Sequence, residues 1–202
     1  MSDRFLELVN PAANLSHRHH LFNRLNPCQR GGANNNCDAA AAVLFDYLES
    51  GVEHRALCIE IGGEVIETDR RTGRPATWIR VPGLRALVYL LKRGGHGTHL
   101  IVLGLRPPTS QYAQRHVFNL MNVDFPNGTR RRNQGGVHLA DAYSNEVIPT
   151  YPNPTVDQSV REIGNYLTAN EIPLGNLSYR TSSYNVTRPQ TEQPRGELLR
   201  GR

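Results

Sequence analysis

The chain has 202 residues, of which 38% are hydrophobic and 20% charged, with a formal net charge of +5. That length suits one domain with a sizeable core, and no apolar run approaches the roughly 20 residues of a membrane-spanning helix. The excess positive charge sits in a Pro-, Gln-, Thr- and Ser-rich end (Arg180, Arg188, Arg195, Arg200, Arg202) and in Arg130-Arg131-Arg132, with no basic stripe interleaved with aromatics, so nucleic acid is not the expected partner.

The start, Met1-Ser2-Asp3-Arg4, lacks the basic-then-apolar layout of a signal peptide, so any export is expected to use another route. Residues 1–25 read as a lead-in packed over the domain, with short helices around Leu6–Val9 and His19–Leu25 ended by Asn26-Pro27. Within it, Ser16-His17-Arg18-His19-His20 has no carboxylate or cysteine to complete a ligand set. It reads as a solvated polar turn, and neither a metal nor a cofactor is expected. The three cysteines, Cys28, Cys37 and Cys58, match neither a zinc site nor a disulfide framework. Free thiols in a reducing compartment are the simplest expectation.

A domain over residues 26–175 begins with its clearest element. Ala40, Val43, Leu44, Tyr47 and Leu48 recur at helical spacing from Cys37 to the stop signal Ser50-Gly51. Residues 56–61 and 64–68 flank Gly62-Gly63 as a hairpin, which places Cys58 in a strand. Arg70 to Pro82 reads as loop, and Leu84, Leu87, Val88 and Leu91 predict a second helix ending at Gly94-Gly95. His99–Leu105 is a continuous apolar run, the pattern of a central strand, and 116–123 and 137–142 predict two further strands. A helix from about Thr155 to Thr168 follows Asn153-Pro154. From 176 to 202 the chain reads as a basic, flexible tail.

One constellation carries chemistry. Cys37 lies at the first turn of its helix, where free N–H groups and the helix dipole favour a negative charge. The competing reading is an inert buried cysteine. A thiol nucleophile needs a base, and the base an orienting group. Pairing the 116–123 and 137–142 strands about their connecting loop puts His116 opposite Asp141, within side-chain reach. His96, His99 and His138 are rival bases, and His138 falls on the opposite face from Asp141 by alternation. Asp141 also has the plainer reading of a strand-end turn residue. The Cys37 N–H is one oxyanion donor, and the side chains of Gln29, Asn35 and Asn36 are candidates for the second. Helix capping accounts for at least one of Asn34, Asn35 and Asn36.

A helix bearing Cys followed by strands bearing His and Asp is the chain order of papain-like thiol enzymes. Asn26-Pro27, Asn36-Cys37, the Gly94-Gly95-His96-Gly97-Thr98-His99 lead into the apolar strand, His116-Val117-Phe118-Asn119, and Val137-His138-Leu139-Ala140-Asp141-Ala142-Tyr143 together resemble the papain-fold toxin domains of bacterial polymorphic toxins. The resemblance covers about residues 25–150. It implies an α+β papain-like thiol hydrolase fold, with the Cys helix packed on an antiparallel sheet bearing His and Asp. It also implies a Cys37, His116, Asp141 triad and protein glutamine deamidase activity. The implied protein is secreted or injected from a bacterium and acts in the target-cell cytoplasm on a protein bearing a reactive glutamine, with a cognate immunity protein as its other partner and no membrane. Where the family often has a glutamine two places after the aspartate, this chain has Tyr143, a candidate substrate contact. The arginine-rich connection between the last two strands is a candidate surface for target or immunity protein, against the simpler reading of a solvated loop. A peptidase, a transglutaminase-like acyl transferase and a non-catalytic binding adaptor remain alternatives on the same fold.

Overall fold

The computed structural model describes residues 3–9, 15–28, 36–56, 66–125 and 135–187. Its centre is a six-stranded sheet in the order β2-β7-β3-β4-β5-β6, built from Ile79–Arg80, Leu177–Arg180, His99–Leu105, Arg115–Val123, Gly136–Asp141 and Glu146–Ile148. Every neighbouring pair runs antiparallel. A separate two-stranded ribbon pairs β1 (Ile66–Asp69) with β8 (Tyr184–Thr187).

Alternation along the central strands sorts their side chains onto two faces, and both are covered by helices. Leu100, Val102, Phe118, Leu120, Val137 and Leu139 pack against Leu84, Leu87, Val88 and Leu91 of α4 (Leu84–Gly94) and Ile163 and Leu167 of α5 (Val156–Ala169). On the other face, Met121, Val123 and Ala140 pack against α1 (Arg4–Val9), α2 (Leu15–Leu25) and α3 (Cys37–Ser50), and Ile101, Leu103 and Val117 meet the first half of α3 and Tyr184 of β8. The fold class is therefore α+β, with the cysteine helix on an antiparallel sheet that carries His116 and Asp141.

Local signals explain the helix ends. Gly51 closes α3 in the left-handed region (φ 78°), which a residue with a Cβ adopts at a cost, and its N–H donates to the Tyr47 carbonyl. Thr155 opens α5 with a capping box, its hydroxyl accepting from Gln158 N–H while the Gln158 side chain accepts from Thr155 N–H. Among the described residues, no helix is long and apolar enough to cross a membrane.

Four expectations change. First, the chain past 175 is not a tail until later: β7 lies between β2 and β3 inside the sheet, and Arg180 is buried, ion-paired to Asp69 at 2.7 Å and stacked 4.8 Å over Tyr184. Leu177, Tyr179, Tyr184 and Val186 alternate with polar residues, which gives two half-buried strands in a stretch of low average hydrophobicity. Second, Ile79–Arg80 within the presumed loop forms the edge strand β2. Third, Leu15–Leu25 is helical throughout, so the histidine-rich stretch is helix rather than turn. Fourth, Cys28 is disulfide-bonded, whereas Cys37 is a free, buried thiol. An odd count leaves room for one bridge beside one free thiol, and a bridge belongs to an oxidising environment. Cys58, the Gly62-Gly63 hairpin turn, the triple arginine and residues 188–202 lie outside the described residues.

Candidate functional site

The site lies at the end of the sheet where β4 begins and β5 stops. α3 runs alongside β4 in the same direction: Asn119 Nδ2 donates to the Ala41 carbonyl at 3.2 Å, and one turn earlier on the helix Cys37 stands at His116. Across β3–β4, Gly104 pairs with His116. A Cβ at Gly104 would meet Ile172 Cγ2 at 2.5 Å, so the absent side chain lets the segment after α5 close over this strand end.

His116 is 4% exposed, and its Nε2 lies 2.7 Å from Asp141 Oδ2. The Cys37 sulfur lies near enough to act on the imidazole's charge, and both side chains line one cavity. With Nε2 spent on Asp141, Nδ1 is the ring nitrogen left to serve the site. Burial alone would lower the histidine's pKa, but the Asp141 charge, the bond to Asp141 and the Cys37 sulfur outweigh it and raise it to about 10. Asp141 shows the counterpart. Burial would raise it, yet the His116 charge and donors from His116, Tyr166 and Ser144 bring it down to about 2. The pair is an imidazolium–carboxylate pair at neutral pH.

Asp141 is held from several sides. Its Oδ1 accepts from Tyr143 N–H at 2.9 Å and Ser144 N–H at 3.3 Å, and its Oδ2 accepts from the Tyr166 hydroxyl of α5 at 2.7 Å. Ser144 Oγ in turn lies 3.0 Å from the Tyr166 oxygen. The strand-end turn role expected of Asp141 and its contact with His116 are thus met by different oxygens of one carboxylate.

The predicted cross-strand register is off by two. β4 and β5 pair Asn119 with Ala140 and Met121 with His138, a register that continues to Phe118, not His116, opposite Asp141. The His116–Asp141 contact is therefore diagonal, and because the shift is even both side chains keep the same face. The rival histidines are engaged elsewhere. His138 Nδ1 bonds to the Pro149 carbonyl at 2.8 Å, His99 Nδ1 to the Gly97 carbonyl at 2.9 Å, and His96 bridges Asp3 Oδ2 (2.8 Å) and Asp124 N–H (2.9 Å).

Asn36 precedes Cys37 at the helix N-cap, but its side chain makes no capping bond there. Its Nδ2 donates to Asn26 Oδ1 at 2.7 Å, and Asn26 Nδ2 donates to the Ala142 carbonyl at 3.3 Å. These two bonds form a buried strap that ties the start of α3 to the residue after Asp141. Gln29 and Asn35 lie outside the described residues. Tyr143 does reach the site: its ring stands edge-on to His116 at 5.9 Å and lines the cavity.

That cavity, of about 210 Å³, is lined by Cys37, Arg106, Tyr112, Ala113, Arg115, His116, Tyr143, Ser144, Tyr166 and Asn170. Sequence reasoning missed Arg106, Arg115 and Tyr166, which come from a strand-end loop, a strand start and the flank of a helix with no local pattern to mark them. Arg115 bonds to Asp38 Oδ1 at 2.7 Å and to Glu67, and Trp78 Nε1 donates to Glu67 Oε2 at 3.0 Å. Asp38 is raised to about 6, by burial first and by Glu67, against the opposing pull of Arg115. Among the described residues, no group of three or more His, Cys, Asp and Glu side chains is placed to hold a metal ion.

No protein-family model and no curated protein matches the sequence. Among solved structures, the Salmonella effector SpvD, in its R161 variant, matches with a TM-score of 0.42 at 10% identity, covering 84% of this chain and 78% of that one.

Proposed function

We propose that the chain is a cysteine-dependent amidohydrolase, a protein glutamine deamidase that acts as a secreted bacterial toxin or effector domain on a protein of the target-cell cytoplasm and is neutralised by an immunity protein. The observation that supports the reading is the placement of His116, bonded to Asp141 at 2.7 Å and lining one cavity with the free thiol of Cys37. The disulfide at Cys28 is compatible with passage through an oxidising space.

The reaction adds water to a side-chain amide and releases ammonia. The Cys37 thiolate attacks the amide carbon, and the Cys37 N–H at the start of α3 donates to the developing oxyanion. The His116 imidazolium gives its proton to the departing nitrogen as the C–N bond breaks, leaving a thioester and neutral imidazole. His116 then takes a proton from water, the hydroxide attacks the thioester, and the sulfur leaves as thiolate, so glutamine becomes glutamate. Asp141 keeps the ring oriented and its positive charge paired throughout. A cavity of about 210 Å³ below the size range of drug-sized ligand sites suits one amide side chain better than an extended backbone.

The test incubates the protein with an N-acetylated, C-amidated peptide containing one central glutamine and follows ammonia and intact mass. Deamidation adds about one mass unit, while peptidase activity yields fragments and acyl transfer adds the mass of an amine. Cys37→Ala should abolish the change. Modification that persists in Cys37→Ala defeats the enzyme reading and leaves the binding adaptor.

A further inference from the structure

Among the described residues, every cation that lines the Cys37 cavity has a carboxylate partner except Arg106. Arg115 holds Asp38 and Glu67, and His116 holds Asp141. Arg106 is 9% exposed; it donates from Nε to the Asn170 carbonyl at 2.7 Å and from Nη1 to the Ala113 carbonyl at 2.7 Å. Among the described residues no carboxylate lies within ion-pair distance of it. The two carbonyls take up two of its five N–H donors and leave its charge without a counter-ion, and a buried unpaired guanidinium is an unfavourable arrangement that a fold keeps only where something offsets it. Tyr112, 47% exposed on the same loop, lies with its ring 5.1 Å from the guanidinium carbon and lines the cavity beside it.

We propose that Arg106 anchors a carboxylate carried by the substrate beside the amide that Cys37 attacks, so that the site selects glutamines with an acidic neighbour. The inference rests on the hydrolase reading for the identity of the amide. A carboxylate in the cavity would give Arg106 its counter-ion, accept directed hydrogen bonds from the guanidinium fork, and fix the substrate on the side of the cavity away from α3. Two sources supply the same chemistry: an Asp or Glu side chain near the glutamine, or the terminal carboxylate of a glutamine at a chain end.

The experiment uses N-acetylated peptides with a single glutamine. One is neutral and C-amidated, a set carries Glu at one of the two positions before or after the glutamine, and one ends at the glutamine with a free carboxylate. For wild type, kcat/KM on the best carboxylate-bearing peptide should exceed that on the neutral one by about 10- to 100-fold. The ratio should fall to near one in Arg106→Gln and survive in part in Arg106→Lys. It is insensitive to a general loss of folded enzyme, which lowers both peptides alike. Which peptide wins separates the internal acidic residue from the chain end. Affinities of the same peptides for Cys37→Ala, with and without Arg106→Gln, supply a readout without chemistry. If wild type turns over no peptide but Cys37→Ala prefers the acidic ones about tenfold through Arg106, the carboxylate subsite stands and the deamidase reading falls. A ratio near one in wild type, a ratio that survives Arg106→Gln, or an absence of both turnover and binding preference overturns the subsite.

Discussion

Two histidines on adjacent strands, His116 of β4 and His138 of β5, are buried to nearly the same degree, 4% and 0% exposed, and end in opposite states. Burial pushes both pKa values down. At the start of β4 His116 meets the Asp141 carboxylate and lies near the Cys37 sulfur, and it rises to about 10. On the α1–α3 face His138 meets the Pro149 carbonyl and falls to about 4, and its Nε2 has no hydrogen-bond partner among the described residues. One is a cation at neutral pH, able to give a proton away; the other is a neutral ring packed as core. The burial of a histidine therefore says little about its chemistry, and the charge it faces says nearly all of it.

The largest effect that tests this contrast is on turnover. His116→Gln keeps an N–H donor for Asp141, which avoids leaving that carboxylate buried and unpaired, but it removes the titrating group. It should lower kcat/KM for the glutamine peptide by about 10³- to 10⁴-fold. His138→Gln keeps a donor for the Pro149 carbonyl and should change kcat/KM by less than about 3-fold. Steady-state ammonia release on both variants checks the pair, and comparable losses would show that the distinction between the two rings is wrong.

The same contrast shows what a sequence can reveal. The apolar spacing after Cys37, the stop at Gly51 and the run His99–Leu105 name their elements because each depends on neighbours within a few residues. That His138 lies on the opposite face from Asp141 follows from strand alternation. The register did not follow, since it depends on the path of the connection between β4 and β5, and the reading that put His116 opposite Asp141 was two residues off. The even shift preserves the face, so His116 and Asp141 meet diagonally where direct pairing is expected. β7 and β8 read as tail in the sequence because Leu177–Arg180 and Tyr184–Thr187 are short, half polar, and gain their burial from strands more than 70 residues earlier. Arg106 and Tyr166 had no signal: an arginine after a core strand and a tyrosine beside a helix's apolar stripe acquire their meaning only where the chain brings them to Cys37.

A second effect, on stability, sharpens the contrast by separating the two histidines along the pH axis. His138 titrates at about 4 when folded, against an ordinary value of 6.5, so the unfolded chain takes up the proton first. Its stabilising contribution is present above pH 6.5 and is lost as pH falls toward 4, by an amount on the order of 3 kcal/mol. His116 has the opposite sign. Its folded value near 10 exceeds 6.5, so its contribution is full below pH 6.5 and is lost as pH rises through about 10. Asp141, lowered from 3.8 to about 2, contributes above 3.8 and fails only as pH drops through 2. Between pH 7 and 4.5 the acid sensitivity should therefore belong to His138 and not to the ion pair. His99, also pushed down by burial, is common to both proteins and cancels in their difference. Urea unfolding at the two pH values should show His138→Gln losing less stability than wild type, and equal losses would remove His138 as the cause.

The smallest effect probes how firmly the site's carboxylate is held. Asp141 accepts from His116, Tyr143 N–H, Ser144 N–H and the Tyr166 hydroxyl, while His138 has the Pro149 carbonyl alone. Tyr166→Phe deletes one of those donors without introducing a charge or a large cavity. Loss of a single hydrogen bond to a charged acceptor that keeps its other partners should cost about 1–2 kcal/mol, a fall in kcat/KM of roughly 5- to 30-fold. The direction on Asp141 is upward, because a donor that stabilised its charged form has gone, but the two backbone donors and the imidazolium should keep it ionised at neutral pH. The His116 ring resonance in an NMR titration should accordingly still report a midpoint well above 6.5. A midpoint that returned to 6.5 in Tyr166→Phe would mean that α5, rather than the turn after β5, fixes the charge of Asp141, and that the orientation of His116 depends on the helix packed behind the sheet.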